Sequence, residues 1–105
     1  MVKENVLKLI QKFQRALEEQ HVHIQKIILY GSWAEGTAHD DSDIDVIVIS
    51  DSFKDKGYWE RIELLSQAIY KIFAPIEAVA MTQEEWDNKS SSMCEYAKDG
   101  EVVFS

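Results

Sequence analysis

The run Ile44-Asp45-Val46-Ile47-Val48-Ile49 constrains the fold more than any other stretch. It is rich in β-branched residues and short, which makes it a strand, and its centre is apolar on both faces. An earlier strand, residues 24 to 30, has the same character. Strands apolar on both faces require cover on each side, or central positions in a sheet. Three further signals supply the cover. Residues 2 to 19 carry Val6, Leu9, Ile10, Phe13 and Leu17 at helical spacing, with polar residues opposite. Residues 58 to 73 repeat the pattern with Trp59, Ile62, Leu65, Ile69 and Ile72, and Pro75 stops any continuation. A strand is expected over 76 to 81, and residues 51 to 57 read as a polar connection. Thr82 to Glu85 and Ser92 to Glu95 both fit capping boxes of short helices. Gly100 suits a C′ position, and a strand over 101 to 104 closes the chain. The expected class is α/β (α+β): one domain over residues 1–105, a small mixed sheet packed with helices.

Between the first two strands lies a candidate site. Gly31 follows an apolar run and has no Cβ, so the chain can bend there and approach a ligand closely. Ser32 adds a hydroxyl, and Ser32 to Ala38 can form a short helix whose first N–H groups attract anions, phosphate above all. Asp43 and Asp45 share one face of the following strand, about 7 Å apart at Cα. Two such carboxylates repel unless a cation lies between them, and Mg²⁺ binds through one or two carboxylates plus substrate phosphates. Glu77 sits inside the later strand. A metal shared with Asp43 and Asp45 accounts for an acid there; an edge strand with Glu77 facing water is the alternative.

The full pattern, G-S-x(3)-G-x(5)-S-D-x-D, arises by chance on the order of once in 10⁵ chains of this length. It resembles the signature of the minimal nucleotidyltransferases, small bacterial and archaeal relatives of DNA polymerase beta and kanamycin nucleotidyltransferase. The resemblance implies the nucleotidyltransferase fold, with Gly31, Ser32, Gly36 and Ser42 holding a nucleotide. It implies that Asp43, Asp45 and Glu77 are catalytic and bind one or two Mg²⁺ ions. ATP, or another nucleoside triphosphate, is the implied substrate, and NMP transfer to a hydroxyl of a partner protein, AMP from ATP, the implied reaction. Small proteins of this kind are often encoded beside a helical HEPN-type toxin, so the resemblance also implies such a partner, with the nucleotidyltransferase acting as antitoxin. Two departures stand out. Trp33 and Glu35 occupy the turn helix where many relatives carry a basic residue, and the third carboxylate is Glu, one methylene longer than the usual Asp, although relatives tolerate either. A silent module that only docks on such a partner is the competing reading.

Composition narrows the partners. With 19 acidic and 11 basic residues the net charge is −8, and no Lys/Arg block offsets it, which disfavours a nucleic-acid substrate. No apolar run reaches bilayer length, and the lone Cys94 has no disulfide or metal-spaced partner, so a cytoplasmic protein is expected. His21 and His23 lack a third metal ligand at a recognisable spacing and read as polar residues entering a strand, and His39 reads as a loop residue. Lys54 and Lys56 can reach a phosphate or lie in a solvated loop. Tyr58, Trp59, Trp86 and Tyr96 suit either a partner interface or the core. A chain this short has sheet edges to cover, so a homodimer is plausible.

Overall fold

In the computed structural model the two apolar runs become neighbouring antiparallel strands, β1 (Lys26–Tyr30) and β2 (Ile44–Ile49), with Tyr30 opposite Asp45. The structure describes residues 4–39, 41–89 and 91–105. The expected helix start at residue 2 and the role of Ser90 in a cap fall outside them.

The other elements are α1 (Glu4–Glu19), α2 (Ser32–Glu35), α3 (Tyr58–Ile72), β3 (Ile76–Met81), α4 (Gln83–Asp87), α5 (Ser92–Ala97) and β4 (Glu101–Phe104). The strand order is β3-β2-β1-β4, so both apolar strands are central. β3 runs parallel to β2 after the α3 crossover, and β4 is antiparallel to β1.

Alternation along the strands divides the interior in two. Ile27, Leu29, Ile44, Val46, Val48 and Ile76 face the layer of α1 and α3, where Ile10, Phe13, Leu17, Leu65 and Ala68 are buried. Ile28, Tyr30, Ile47, Ile49 and Met81 face α4 and α5, against Trp86, Met93, Cys94 and Ala97. Each fully buried aliphatic side chain contributes on the order of 1.5–3 kcal/mol. Burial on both faces of β1 and β2 is therefore the main force holding the sheet.

Several local expectations are corrected. The turn helix ends at Glu35 rather than Ala38, because Gly36 adopts a left-handed conformation (φ 81°). α3 stops at Phe73, also left-handed (φ 52°), two residues before Pro75. Trp59 does not join the core face of α3 but is 76% exposed, and Tyr58 and Tyr96 are exposed as well. The connection after β2 is not simply polar. It holds a 3₁₀ turn, Asp51–Phe53, that buries Phe53 completely.

The α4 capping box forms as expected, with Glu85 N–H donating to Thr82 Oγ1 (3.1 Å) and Thr82 N–H to the Glu85 carboxylate (2.8 Å). At α5 the cap is Ser91, whose hydroxyl accepts from Met93 N–H, and Ser92 is already helical. Gly100 is needed for space, not as a left-handed cap. A Cβ there would stand 2.7 Å from both Ile28 Cγ2 and the Leu29 carbonyl oxygen. Among the described residues, no helix is long and apolar enough to cross a membrane.

Arg61, which the apolar periodicity of α3 passes over, ties these parts together. Its guanidinium donates to the carbonyls of Phe53 (2.8 Å) and Lys56 (3.0 Å) and to the Glu85 carboxylate (2.7 Å). One side chain thus latches the start of α3 to the 3₁₀ turn and to α4.

Candidate functional site

The carboxylates meet because of strand register. β2 and β3 pair in parallel with Asp45 directly beside Glu77, and the uninterrupted alternation sets both on the sheet face shared with Tyr30 and Ile47. The two residues are therefore neighbours on that face. The Asp45 carboxyl is pushed above its ordinary value, first by burial, then by the negative charges of Glu77 and Asp43. Tyr30, across from Asp45 on β1, is pushed up to about 12 by burial and then by Asp45 and Glu77, so its phenol stays neutral.

β3 is an outer strand and Glu77 is exposed, so burial of an acid is not what calls for an explanation. Register, rather than desolvation, brings Glu77 to the site. Asp43, exposed one residue before β2, contributes to the field at Asp45. Among the described residues, however, no three acidic, His or Cys side chains close into a ready-made metal cage.

Gly31 completes the arrangement. Its φ of 75° and ψ of −155° belong to a region essentially restricted to glycine. A Cβ at Gly31 would stand 2.4 Å from Asp45 Oδ2. The backbone bend and the carboxylate therefore occupy adjacent space that only a bare glycine leaves open. Gly31 also caps α2, its carbonyl accepting from Ala34 and Glu35 N–H at 3.1 and 3.0 Å. Ser32 is the first helical residue and is half-buried. The first N–H groups of a helix have no intrahelical carbonyl to bond, which leaves this end suited to an anion beside the acids.

The loop from Gly36 to Asp43 is held from inside. Trp33 is buried in the core and its Nε1–H donates to the Ser42 carbonyl (3.1 Å). Ser42 Oγ accepts from His39 N–H (2.8 Å) and Ser42 N–H donates to the His39 carbonyl (2.9 Å). Ser42 therefore shapes the loop that delivers Asp43. At Gly36 a methyl group would meet no atom within 4 Å, so this glycine serves the turn itself. The departure at Trp33 is a packing residue, and Glu35 is exposed.

Several candidates are elsewhere. β2 spans about 20 Å, and Asp45 stands at its start. Lys54 and Lys56 follow its far end, out of reach of a phosphate at Gly31. His21 and His23 belong to the turn entering β1 at that same far end, where the His23 N–H donates to Ser52 Oγ and the His23 carbonyl accepts from Ser50 Oγ. Tyr30 was legible only as the end of a strand, since its place beside both acids depends on pairing across three strands.

The donor set suits a divalent cation. Two neighbouring carboxyl groups with a third charge nearby repel one another unless a cation intervenes, and no lysine or arginine occurs between Gly31 and Asp45. A nucleotidyltransferase domain model matches residues 10–98. Over 86 residues the chain is 34% identical to the "Putative protein adenylyltransferase" of Methanocaldococcus jannaschii, a match covering 81% of this chain and 82% of that protein. Among solved structures, a putative nucleotidyltransferase of Sulfolobus solfataricus superposes with a TM-score of 0.71 at 20% identity, covering 93% of this chain and 78% of that one. A toxin–antitoxin structure with AMP-PNP gives 0.63 at 24% identity, covering 90% and 72%. With the domain matched over most of its length and a relative at this identity, the chain belongs to the nucleotidyltransferase family of transferases.

Proposed function

We propose that the chain transfers AMP from ATP to a hydroxyl of a partner protein, using Mg²⁺ held by Asp45 and Glu77 with Asp43 joining them. The observation that carries this reading is the side-by-side register of Asp45 and Glu77 under the bare backbone of Gly31. The adenylyltransferase description of the archaeal relative and the AMP-PNP in the toxin–antitoxin structure support the nucleotide and the protein acceptor. A helical HEPN-type partner follows from the family resemblance, and a cytoplasmic setting from the lone Cys94 and the short apolar runs.

When bound, Mg²⁺ supplies charge neutralisation at the α-phosphate and at the departing pyrophosphate. Gly31 and Ser32 receive the triphosphate at the start of α2, where the missing Cβ permits close approach. Asp45, whose carboxyl is pushed above its ordinary value, would give up its proton in holding the metal beside Glu77. Tyr30 remains protonated and walls the inner side of the pair. Positioning and charge neutralisation carry such transfers, so the chain needs no dedicated nucleophile of its own.

The test is incubation with Mg²⁺, labelled ATP and the protein encoded beside this chain. Label should pass to the partner with the native protein and be lost with Asp45→Asn or Glu77→Gln. Equal labelling by those variants refutes the reading. A stable complex with the partner but no Mg²⁺-dependent ATP binding by calorimetry identifies a docking module instead.

A further inference from the structure

The segments that build the site carry no positive charge. Residues 27–53 and 72–88, which include β2, β3 and the chain that enters each, contain no Lys or Arg. Lys71, just before the second segment, is engaged by Glu19, and Lys98, past the end of α5, by Glu95. Asp41, Asp43 and Glu77 are exposed and Asp45 is half-buried, so this end of the sheet presents acids to any molecule that approaches it.

An aromatic pair flanks the same end. The Pro75 carbonyl accepts from Ile44 N–H (2.8 Å), which ties the turn between α3 and β3 to the residue that separates Asp43 from Asp45. Phe73 precedes that proline by two residues, so its Cα lies within roughly 8 Å of it. Its ring meets that of Tyr70, one turn earlier, with centroids 5.6 Å apart. Ile44 and Ile76 turn toward α3 while Asp45 and Glu77 turn to the other face, so the rings border the acids across the ends of the strands. Phe73 is poorly placed for stability. It takes the left-handed conformation (φ 52°) that ends α3, which glycine adopts freely and a bulky side chain does not. Phe73 is 85% exposed and Tyr70 75%, so burial within the chain returns little of that cost, and both rings are open to another molecule.

We propose that Tyr70 and Phe73 dock the acceptor, and that the acceptor is a basic polypeptide segment carrying lysine or arginine next to an aromatic or apolar side chain. Cations are drawn to exposed aromatic faces as well as to carboxylates, so the rings and the acids at this end select the same charge. An acidic segment meets repulsion from Asp41, Asp43 and Glu77 before it reaches the site. The aromatic or apolar neighbour covers the two rings. The cations of the acceptor also bring to the triphosphate the positive charge that Trp33 and Glu35 do not supply from α2. This assignment rests on the catalytic reading and specifies its acceptor.

The test supplies Mg²⁺, labelled ATP and two random copolymers as acceptors, one of lysine with tyrosine and one of glutamate with tyrosine. The native chain should label the lysine copolymer about tenfold faster or more. Phe73→Gly and Tyr70→Gln should each raise KM for that copolymer about tenfold, with kcat and Mg²⁺-dependent ATP binding little changed. Phe73→Gly should also melt at or above the native temperature, since glycine suits the left-handed position; a ring with a merely structural role predicts a lower one. Trp59→Gln, at the opposite end of α3, is the control and should alter neither constant. Equal or faster labelling of the glutamate copolymer, or an unchanged KM in the folded Tyr70 and Phe73 variants, overturns the proposal. So does a native dimer that Phe73→Gly dissociates, because it gives the rings to a second copy. A native chain that labels the protein encoded beside it but neither copolymer refutes the docking and leaves the catalytic reading in place. Absence of both labelling and Mg²⁺-dependent ATP binding removes the catalytic reading and the docking with it.

Discussion

Replacing Gly31 by alanine tests the junction of turn and carboxylate most directly. Gly31 and Gly36 both have positive φ, 75° and 81°, but their surroundings differ. At Gly36 no atom lies within 4 Å of the added methyl, so Gly36→Ala costs only the left-handed conformation, about 1–2 kcal/mol. At Gly31 the backbone region is one that side chains scarcely enter, a cost of about 1–3 kcal/mol. The methyl also meets Asp45 Oδ2 at 2.4 Å and Asp45 Cγ at 3.3 Å, so the carboxylate has to move. Overpacking of this kind adds about 1–3 kcal/mol, for a total of about 2–6 kcal/mol. Urea unfolding should therefore rank Gly31→Ala well below Gly36→Ala. Nucleotide transfer should be lost in the first and retained in the second, since displacing Asp45 breaks its alignment with Glu77. Equal stability of the two variants, or normal transfer by Gly31→Ala, would refute the argument.

Asp45→Asn should separate stability from activity. The Asp45 carboxyl is raised by burial and then by Glu77 and Asp43, so the folded state binds its proton more tightly than the unfolded chain does. Stability consequently falls as pH rises from the ordinary carboxylate value through the raised one, and ionised Asp45 is a cost at neutral pH. The metal-free Asn variant should melt higher than native at neutral pH, with the gain gone in acid; thermal melts without a gain count against the repulsion. Arg61→Ala should cost about 2–3 kcal/mol in urea unfolding through its lost bonds to Glu85, Phe53 and Lys56. Glu85 is held below its ordinary value chiefly by its hydrogen bond to Arg61, so its modest, partly solvent-screened contribution is present above that value and lost as pH falls through the lowered one. Loss of that acid-side dependence in Arg61→Ala is the check.

Much of the architecture was legible because it rests on local periodicity. The period-two runs, the α1 and α3 repeats, the β3 segment and the Thr82 cap each follow from neighbouring residues, and their boundaries agree within a few positions. The errors fall where chain geometry depends on contacts from elsewhere. Phe53 looked like part of a polar loop because its partners come from other elements, and Trp59 fitted a helical repeat although no element among the described residues covers it.

The order of residues by itself determined that two apolar strands need cover on both faces and that a glycine turn precedes paired acids. Periodicity and the absence of a Cβ are properties of the chain before it folds. Only the tertiary structure decided that Glu77 stands beside Asp45 while Lys54 and Lys56 lie at the opposite end of the sheet. Register between strands separated by a crossover helix is chosen by packing of the whole core, because a slip by one residue would turn every buried side chain to the wrong face.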